Sequence, residues 1–268
     1  MDLNYQRSPF AIRGDLPLPL DEVHLWFVRP ASVRSPHVVA ACRQVLSADE
    51  GCREARFRFE RDRHVFLIAH ALVRVALSHY CRIDPGAWTF LTNRHGRPEL
   101  AACPASPRLC FNLTHTAGLA ACAIVRSRFV GVDAEHVDRA DSIGAIAPRW
   151  FSPSEREEIA TLPSHARRGR HVQLWVLREA YAKARGIGLS IPLDHLAFSL
   201  TGSDSARLRC PPHVDCAPDR WLFRLVQPTL EHWAAVAIDG GRPLGSPVRV
   251  RLLQLTDTFE LRAAAVSP

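Results

Sequence analysis

Lysine is all but missing from this chain. Lys183 stands alone in a Lys+Arg total of 34, so every other basic position is arginine. Guanidinium is an always-charged fork, whereas an ammonium is a compact charge that can give up its proton. A composition that lets arginine cover nearly every basic task makes the one amine worth following. Close cysteine pairs are lacking too: Cys42, Cys52, Cys81, Cys103, Cys110, Cys122, Cys210 and Cys216 include no C-x-x-C, so the spacings of zinc sites and redox motifs are absent. There is no run of about 18 apolar residues to cross a bilayer. The opening Met-Asp-Leu-Asn-Tyr-Gln-Arg lacks the apolar core of a signal peptide. Reduced thiols in a cytoplasmic protein, with no membrane partner, are the expectation. The arginines form no long basic tract and there are three tyrosines, so the clustered charge and stacking aromatics of a nucleic-acid reader are missing as well.

What is present bounds the rest. The chain has 268 residues, enough for one large domain or two lobes, and an apolar content of 47% supports a full core. Its net charge of +7 favours an anionic partner, whether a phosphorylated small molecule or an acidic protein.

Residues 1–20 hold three prolines and no period, and read as a flexible arm. A strand is expected over 24–28, a helix N-cap at Ser47 with Glu50 three residues on, and a long helix over 62–79. A turn at 93–98 and strands over 110–114, 119–125 and 130–135 follow. The second half replays this order. Leu46-Ser-Ala-Asp-Glu50 is answered by Phe151-Ser-Pro-Ser-Glu155, and Arg63-His-Val-Phe-Leu67 by Arg170-His-Val-Gln-Leu174, which opens a helix over 170–185. Strands over 195–200, 206–209, 221–226 and 233–238 complete it. Two repeats suit a pseudo-two-fold pair of similar lobes in an α/β (α+β) fold, each a small antiparallel-rich sheet packed on a long helix, with a ligand cleft where the lobes meet. The expected division is an arm at 1–20, a first lobe at 21–138, a second at 139–240 and a tail at 241–268, with the boundary near 136–145.

Four short segments carry chemistry. In Gly131-Val-Asp133-Ala-Glu135, residues i and i+2 of a strand point to one face. Two carboxylates side by side repel unless a cation lies between them, and hard oxygen donors suit Mg²⁺; a polar strand end facing water has the same pattern. Trp175, Glu179 and Lys183 are four residues apart and share a helix face. That stripe fits a cleft wall, or a surface ion pair stabilising by roughly 0.3–0.5 kcal/mol. Phe111-Asn112-Leu-Thr114-His115 offers hydroxyl and imidazole groups at a strand end, as a structural histidine would or as a phosphate-binding corner would. Thr92-Asn-Arg94-His-Gly96-Arg97-Pro98 places guanidinium groups on a tight turn.

Taken in order, these segments resemble the 4′-phosphopantetheinyl transferases of the surfactin-synthetase-activating (Sfp-like) type. The family pattern G-[KR]-P, F-N-x-[ST]-H, G-[IV]-D-x-E and W-x-x-K-E-[AS]-x-x-K is matched by Gly96-Arg97-Pro98, Phe111 to His115, Gly131 to Glu135, and Trp175 to Lys183. The run at 188–193 after the helix is family-like too. The resemblance covers about residues 22 to 240. It implies two similar lobes in one monomeric chain, coenzyme A as donor and Mg²⁺ (or Mn²⁺) between them. It also implies transfer of the phosphopantetheine arm to a serine of an acidic acyl or peptidyl carrier protein, with release of 3′,5′-ADP.

By the same resemblance Asp133, Glu135 and Glu179 match metal ligands, and Glu179, Lys183 and Asp133 match catalytic positions. Arg53, Arg94, Gly96, Arg97, Pro98, Asn112, Thr114, His115 and Lys183 match the coenzyme A site. Arg178 stands where the pattern has lysine, Arg97 where lysine is the commoner of the two allowed residues, and Ala134 where a larger residue is usual. The chain departs again at Val65, where a basic residue is frequent; Arg61, Arg63 or Arg53 would have to substitute. A non-catalytic carrier-binding relative, a phosphohydrolase acting on coenzyme A and a nucleic-acid-binding module are the alternatives. No metal-ligand position or amine is missing, which speaks against the first of these.

Overall fold

The computed structural model describes residues 10–186, 193–240 and 248–263. The family-like run beginning at Gly188 lies outside them, as do residues 1–9. The chain divides into two compact units. The first comprises Met1–Leu91, Pro98–Ser127 and Val250–Pro268; the second comprises Thr92–Arg97 and Arg128–Arg249.

In the first unit, strand β1 (Glu22–Val28) leads to helices α1 (Pro36–Gln44), α2 (Ala48–Ala55) and α3 (Glu60–Ser78). A short ribbon of β2 (Phe90–Thr92) and β3 (Pro98–Leu100) precedes the hairpin β4 (Leu109–Thr116) and β5 (Leu119–Arg126). Strands β11 (Arg249–Leu255) and β12 (Leu261–Ala263) complete a five-stranded sheet in the order β12-β11-β1-β5-β4. β5 lies antiparallel to both β1 and β4. Helix α3 packs across β1, β5 and β4. Its apolar positions at 67, 68, 71, 72 and 75 recur at helical spacing and bury Leu67, Ile68, Ala71, Leu72 and Val75 against Trp26 and Ile124.

The second unit contains β6 (Val130–His136), α4 (Ala140–Trp150), α5 (Pro153–Thr161), α6 (Ser164–Arg185), β7 (Ala197–Leu200), β8 (Ser205–Arg209), β9 (Trp221–Thr229) and β10 (His232–Asp239). Its sheet runs β6-β10-β9-β8-β7 and is antiparallel throughout. Helix α6 lies on β6 and β10 over a core that includes Leu177, Tyr181, Phe198, Phe223 and Ala237. Each unit is thus α+β, with an antiparallel-rich sheet and one long helix.

The internal repeat has a physical basis. Ser47 and Ser152 each cap a helix by accepting from the N–H of a glutamate three residues on, and Glu50 and Glu155 each return a bond to the cap N–H. Each glutamate also binds a buried arginine of the long helix. Glu50 Oε2 accepts from Arg74 Nη2 at 2.7 Å, and Glu155 pairs with the fully buried Arg178. Both arginines spend further N–H groups on carbonyls: Arg74 on Pro85 and Trp88, Arg178 on Trp150, Leu174 and Leu196. The R-H-V-x-L match pairs Arg74 with Tyr181. The buried pairing relates it to Arg178 instead, about one helical turn away.

Several expectations are corrected. The first lobe does not run to residue 138: β6 belongs to the second unit because it hydrogen-bonds along its whole length to β10. The segment taken as an arm contributes Phe10, Leu16 and Leu18 to the first core, where apolar burial outweighs the lack of any periodic signal. The segment taken as a tail supplies two strands to the first sheet and buries Leu253, Leu255 and Phe259. Helix α6 starts at Ser164 rather than 170, with Pro163 in the N-cap position. Helix α1 was not anticipated. Cys210 and Cys216 form a disulfide, a pairing that the sequence spacing did not suggest.

Candidate active site

The site begins with a missing side chain. A Cβ built on Gly131 of β6 would lie 2.0 Å from the Ala180 carbonyl oxygen and 2.3 Å from the Ala184 amide nitrogen. Strand and helix backbones therefore touch at this point, which a Cβ would forbid. Two residues further along the same face of β6 is Asp133, and on α6 beside that contact is Lys183. Lys183 Nζ donates to Asp133 Oδ1 at 2.6 Å. Asp133 is buried, while the Lys183 side chain keeps 29% of its surface open.

Glu135 and Glu179 are half-buried beside this pair. Burial pushes the Glu179 carboxyl above its ordinary range, and the negative charges of Asp133 and Glu135 push it further; the Lys183 ammonium opposes them. Each of these groups thus acts on Glu179 electrostatically, which places the four residues of the two motifs in one neighbourhood. Among the described residues, no three His, Cys, Asp or Glu side chains are gathered closely enough to form a ready-made metal cage. The donor chemistry nevertheless fits a hard divalent cation: the carboxylates are three, their charges are unfavourable to one another, and all their donor atoms are oxygen.

The turn between β2 and β3 serves α6 rather than open space. Arg97 Nη1 donates to the carbonyls of Lys183 (2.9 Å) and Ala184 (2.7 Å), and Nη2 donates to Val130 O at 3.1 Å. Asn93 Nδ2 donates to the Gly186 carbonyl at 3.2 Å, while its Oδ1 accepts from the amides of His95 and Arg97. The helix ends at Gly186 in the left-handed conformation (φ +64°), where glycine carries no Cβ penalty. A guanidinium at the negative end of the helix dipole is favourably placed. Arg97, expected at coenzyme A, therefore commits three bonds to protein carbonyls.

The other expected residues are distributed as follows. Arg94 and Gly96 are exposed at the tip of that turn, with Arg94 Nε 2.9 Å from His95 Nε2. Pro98 opens β3. In the first unit, Asn112 and Thr114 are buried on one face of β4 and His115 is exposed on the other. Arg53, in the last turn of α2, is exposed with its guanidinium 5.3 Å from the centre of the Phe66 ring. Trp175 is half-buried and meets Trp150 edge-on at 6.4 Å. The structure brings together Asp133, Glu135, Glu179, Lys183 and Arg97 within the second unit. Arg53, Asn112, Thr114 and His115 are features of the first.

A model of the 4′-phosphopantetheinyl transferase superfamily matches residues 129–237, the stretch that holds all four charged residues of the cluster. The chain is 32% identical over 226 residues to the 4′-phosphopantetheinyl transferase HetI of Nostoc sp., covering 84% of this chain and 91% of the relative. It is 29% identical to the 4′-phosphopantetheinyl transferase Sfp of Bacillus subtilis, covering 62% of this chain and 71% of Sfp. Among solved structures it is similar to the holo-(acyl-carrier-protein) synthase of Thermotoga maritima, with a TM-score of 0.35 at 22% identity over 42% of this chain and 63% of that one. With similarity to HetI over nearly the whole of that relative, and the four motifs in order, the chain belongs to the 4′-phosphopantetheinyl transferase superfamily and is of the Sfp-like type.

Proposed function

We propose that this protein is a transferase that moves the 4′-phosphopantetheine arm of coenzyme A onto a serine hydroxyl of an acyl or peptidyl carrier protein and releases 3′,5′-ADP. The observation that carries the reading is the cluster of Asp133, Glu135, Glu179 and Lys183, built on one strand and one helix of the region matched by the family model.

The chemistry follows from charge. A serine hydroxyl must lose a proton as it attacks a pyrophosphate that already carries negative charge, and the departing phosphate must be stabilised. Asp133, Glu135 and Glu179 would hold a divalent cation, with Mg²⁺ the natural fit, and when bound it supplies charge neutralisation at the pyrophosphate. Glu179 accepts the serine proton as general base. Lys183, one turn along α6, has an amine that pairs with the leaving phosphate and can give it a proton, leaving a neutral amine to be reprotonated from water. Arg53, Asn112, Thr114 and His115 are assigned to the adenosine and phosphate end of the donor. The net charge of +7 suits an acidic carrier, and the protein acts as a monomer in the cytoplasm on this reading.

Mass spectrometry of purified apo-carriers incubated with the protein, coenzyme A and Mg²⁺ tests the proposal. The expected result is the gain of one phosphopantetheine on the carrier serine. Release of 3′,5′-ADP with no carrier modified, across fatty-acid, polyketide and peptide carriers, would replace transfer by hydrolysis. A carrier KM that rises steeply with salt is expected as well, and a flat response would remove the charge-steered partner.

A further inference from the structure

The face of the sheet that carries Asp133 and Glu135 continues onto β10. Register pairs Gly131 with Ala237, Asp133 with Ala235, and Glu135 with Trp233. Directly opposed residues of antiparallel strands share a face, with Cβ atoms about 5 Å apart. The face is therefore small where the α6 backbone presses on it, at Gly131, Ala235 and Ala237, acidic in the middle, and closed by an indole at the end beside Glu135.

Two features single out Trp233. Of the eight residues of β10, seven are buried and Trp233 alone is half-open, although its body packs on the core beneath α6. The ladder to β9 also slips there: His232 pairs with Thr229 and Ala234 with Val226, so Trp233 is the single β10 residue opposite a bulge formed by Gln227 and Pro228 of β9. Bulges of this kind re-aim a side chain and are frequent next to active sites.

We infer that the exposed face of Trp233 contacts the pantoyl segment of coenzyme A, the gem-dimethyl carbon and its neighbours, and fixes the transferred arm as it leaves the acid cluster. This rests on the transferase reading above and goes beyond it by naming the residue that holds the neutral end of the donor. An indole face offers a flat apolar surface and a single N–H donor, so it suits the uncharged part of the ligand rather than its phosphates. In coenzyme A the quaternary carbon with its two methyl groups is separated from the reacting pyrophosphate by one methylene and the ester oxygen. The adenine, the other apolar plate of the donor, lies beyond a ribose that carries a further phosphate. A side chain opposite Glu135 is close to the first of these and remote from the second.

The donor itself supplies the control, because 3′,5′-ADP keeps the adenosine and loses the arm. Calorimetric titration of the full chain with coenzyme A and with 3′,5′-ADP, both with Mg²⁺, is the experiment. Trp233→Ala is expected to weaken coenzyme A on the order of tenfold, the scale of a lost apolar contact in a binding site. Its affinity for 3′,5′-ADP should stay within about twofold of the parent, which also shows that the variant is folded. Trp233→Phe, which keeps a flat ring, should restore most of the coenzyme A affinity. Should the alanine variant fail to fold, Trp233→Gln provides the same comparison with a side chain that is long but polar.

Equal losses for both ligands, or no loss for either, would overturn the inference while leaving the transferase reading in place. A rise in carrier KM with unchanged coenzyme A affinity would overturn it too, by moving the contact to the carrier. A parent protein that binds neither ligand would remove the transferase reading and this inference together.

Discussion

Arg97 Nη1 lies 2.9 Å from the main-chain oxygen of Lys183, the residue whose Nζ reaches Asp133. One arginine on a turn thus fixes the backbone of the amine that the chemistry uses. Arg97→Ala removes three bonds to carbonyls at the end of α6 and beside it on Val130. Charged hydrogen bonds contribute about 1.5–3 kcal/mol each when unscreened, and Arg97 is half-buried, so a total loss of roughly 2–3 kcal/mol is expected. Urea unfolding measures it. Turnover should fall with it, and Arg97→Lys should recover less than half of the stability, because an ammonium cannot span three acceptors in different directions. Full recovery by lysine would mean that charge at the helix end, not the fork, is what matters.

Lys183→Ala is expected to lower kcat by about 10²–10⁴-fold, the usual range for loss of a general acid. Lys183→Arg separates two roles. It keeps the positive charge beside Asp133 and loses the readily transferable proton, so its kcat should resemble that of the alanine variant more than that of the parent. An arginine variant with parental turnover on a carrier protein would leave electrostatic pairing as the whole contribution of this side chain.

Gly131→Ala tests what brings strand and helix together. Its methyl group would lie far inside contact distance of the Ala180 oxygen and the Ala184 nitrogen, both backbone atoms that cannot swing away. Overpacking of this kind costs about 1–3 kcal/mol or more. Chemical denaturation should show a loss at the upper end of that range, with a drop in activity as Asp133 is pushed away from Lys183. A variant as stable as the parent would mean that β6 and α6 can part without cost, and that the close approach is not what sets the site.

Much of this was legible in the sequence for reasons that are local. The Ser47 and Ser152 capping boxes need a hydroxyl and a glutamate three residues apart, and both were readable. The Asp133–Glu135 and Glu179–Lys183 spacings follow from strand and helix periods alone. What the sequence hid is long-range. Phe10, Leu16 and Leu18 carry no period, yet they fill a core built mostly by residues far along the chain. The strands β11 and β12 gain their place from a sheet whose other members lie before residue 127. Arg97 looked like a ligand-facing arginine because spacing cannot say whether a guanidinium meets a phosphate or a helix end. Arg178, read as one more arginine tolerated in place of lysine, is a fully buried partner of Glu155. In the sequence Trp233 is only the first residue of a strand, since its meaning depends on which residue β6 sets opposite it.

The last expectation concerns acid. Glu50 is buried, which by itself would raise its pKa, but bonds from His70 and the Ser47 amide and the charges of Arg74 and His70 outweigh that and bring it from 4.5 to about 2. A carboxyl with a depressed folded pKa stabilises the protein fully above its unfolded value, and that share is lost as pH falls from about 4.5 to about 2. The gap corresponds to on the order of 3 kcal/mol. His79 acts earlier on the scale. Burial, with Arg13 adding to it, lowers its pKa from 6.5 to about 4, so the folded state holds it neutral and loses stability as pH falls through that interval. Urea midpoints of the parent should therefore decline in two stages, first between about 6.5 and 4 and then below 4.5. Glu50→Gln should be destabilised at pH 7, with the difference from the parent shrinking as the pH drops toward 2. His79→Asn should reduce the upper stage, to which His24 and His171, also held down by burial, contribute, and leave the lower one in place. A constant gap between Glu50→Gln and the parent at every pH would mean that the buried Glu50–Arg74 pair does not hold its proton equilibrium in the way its bonds require.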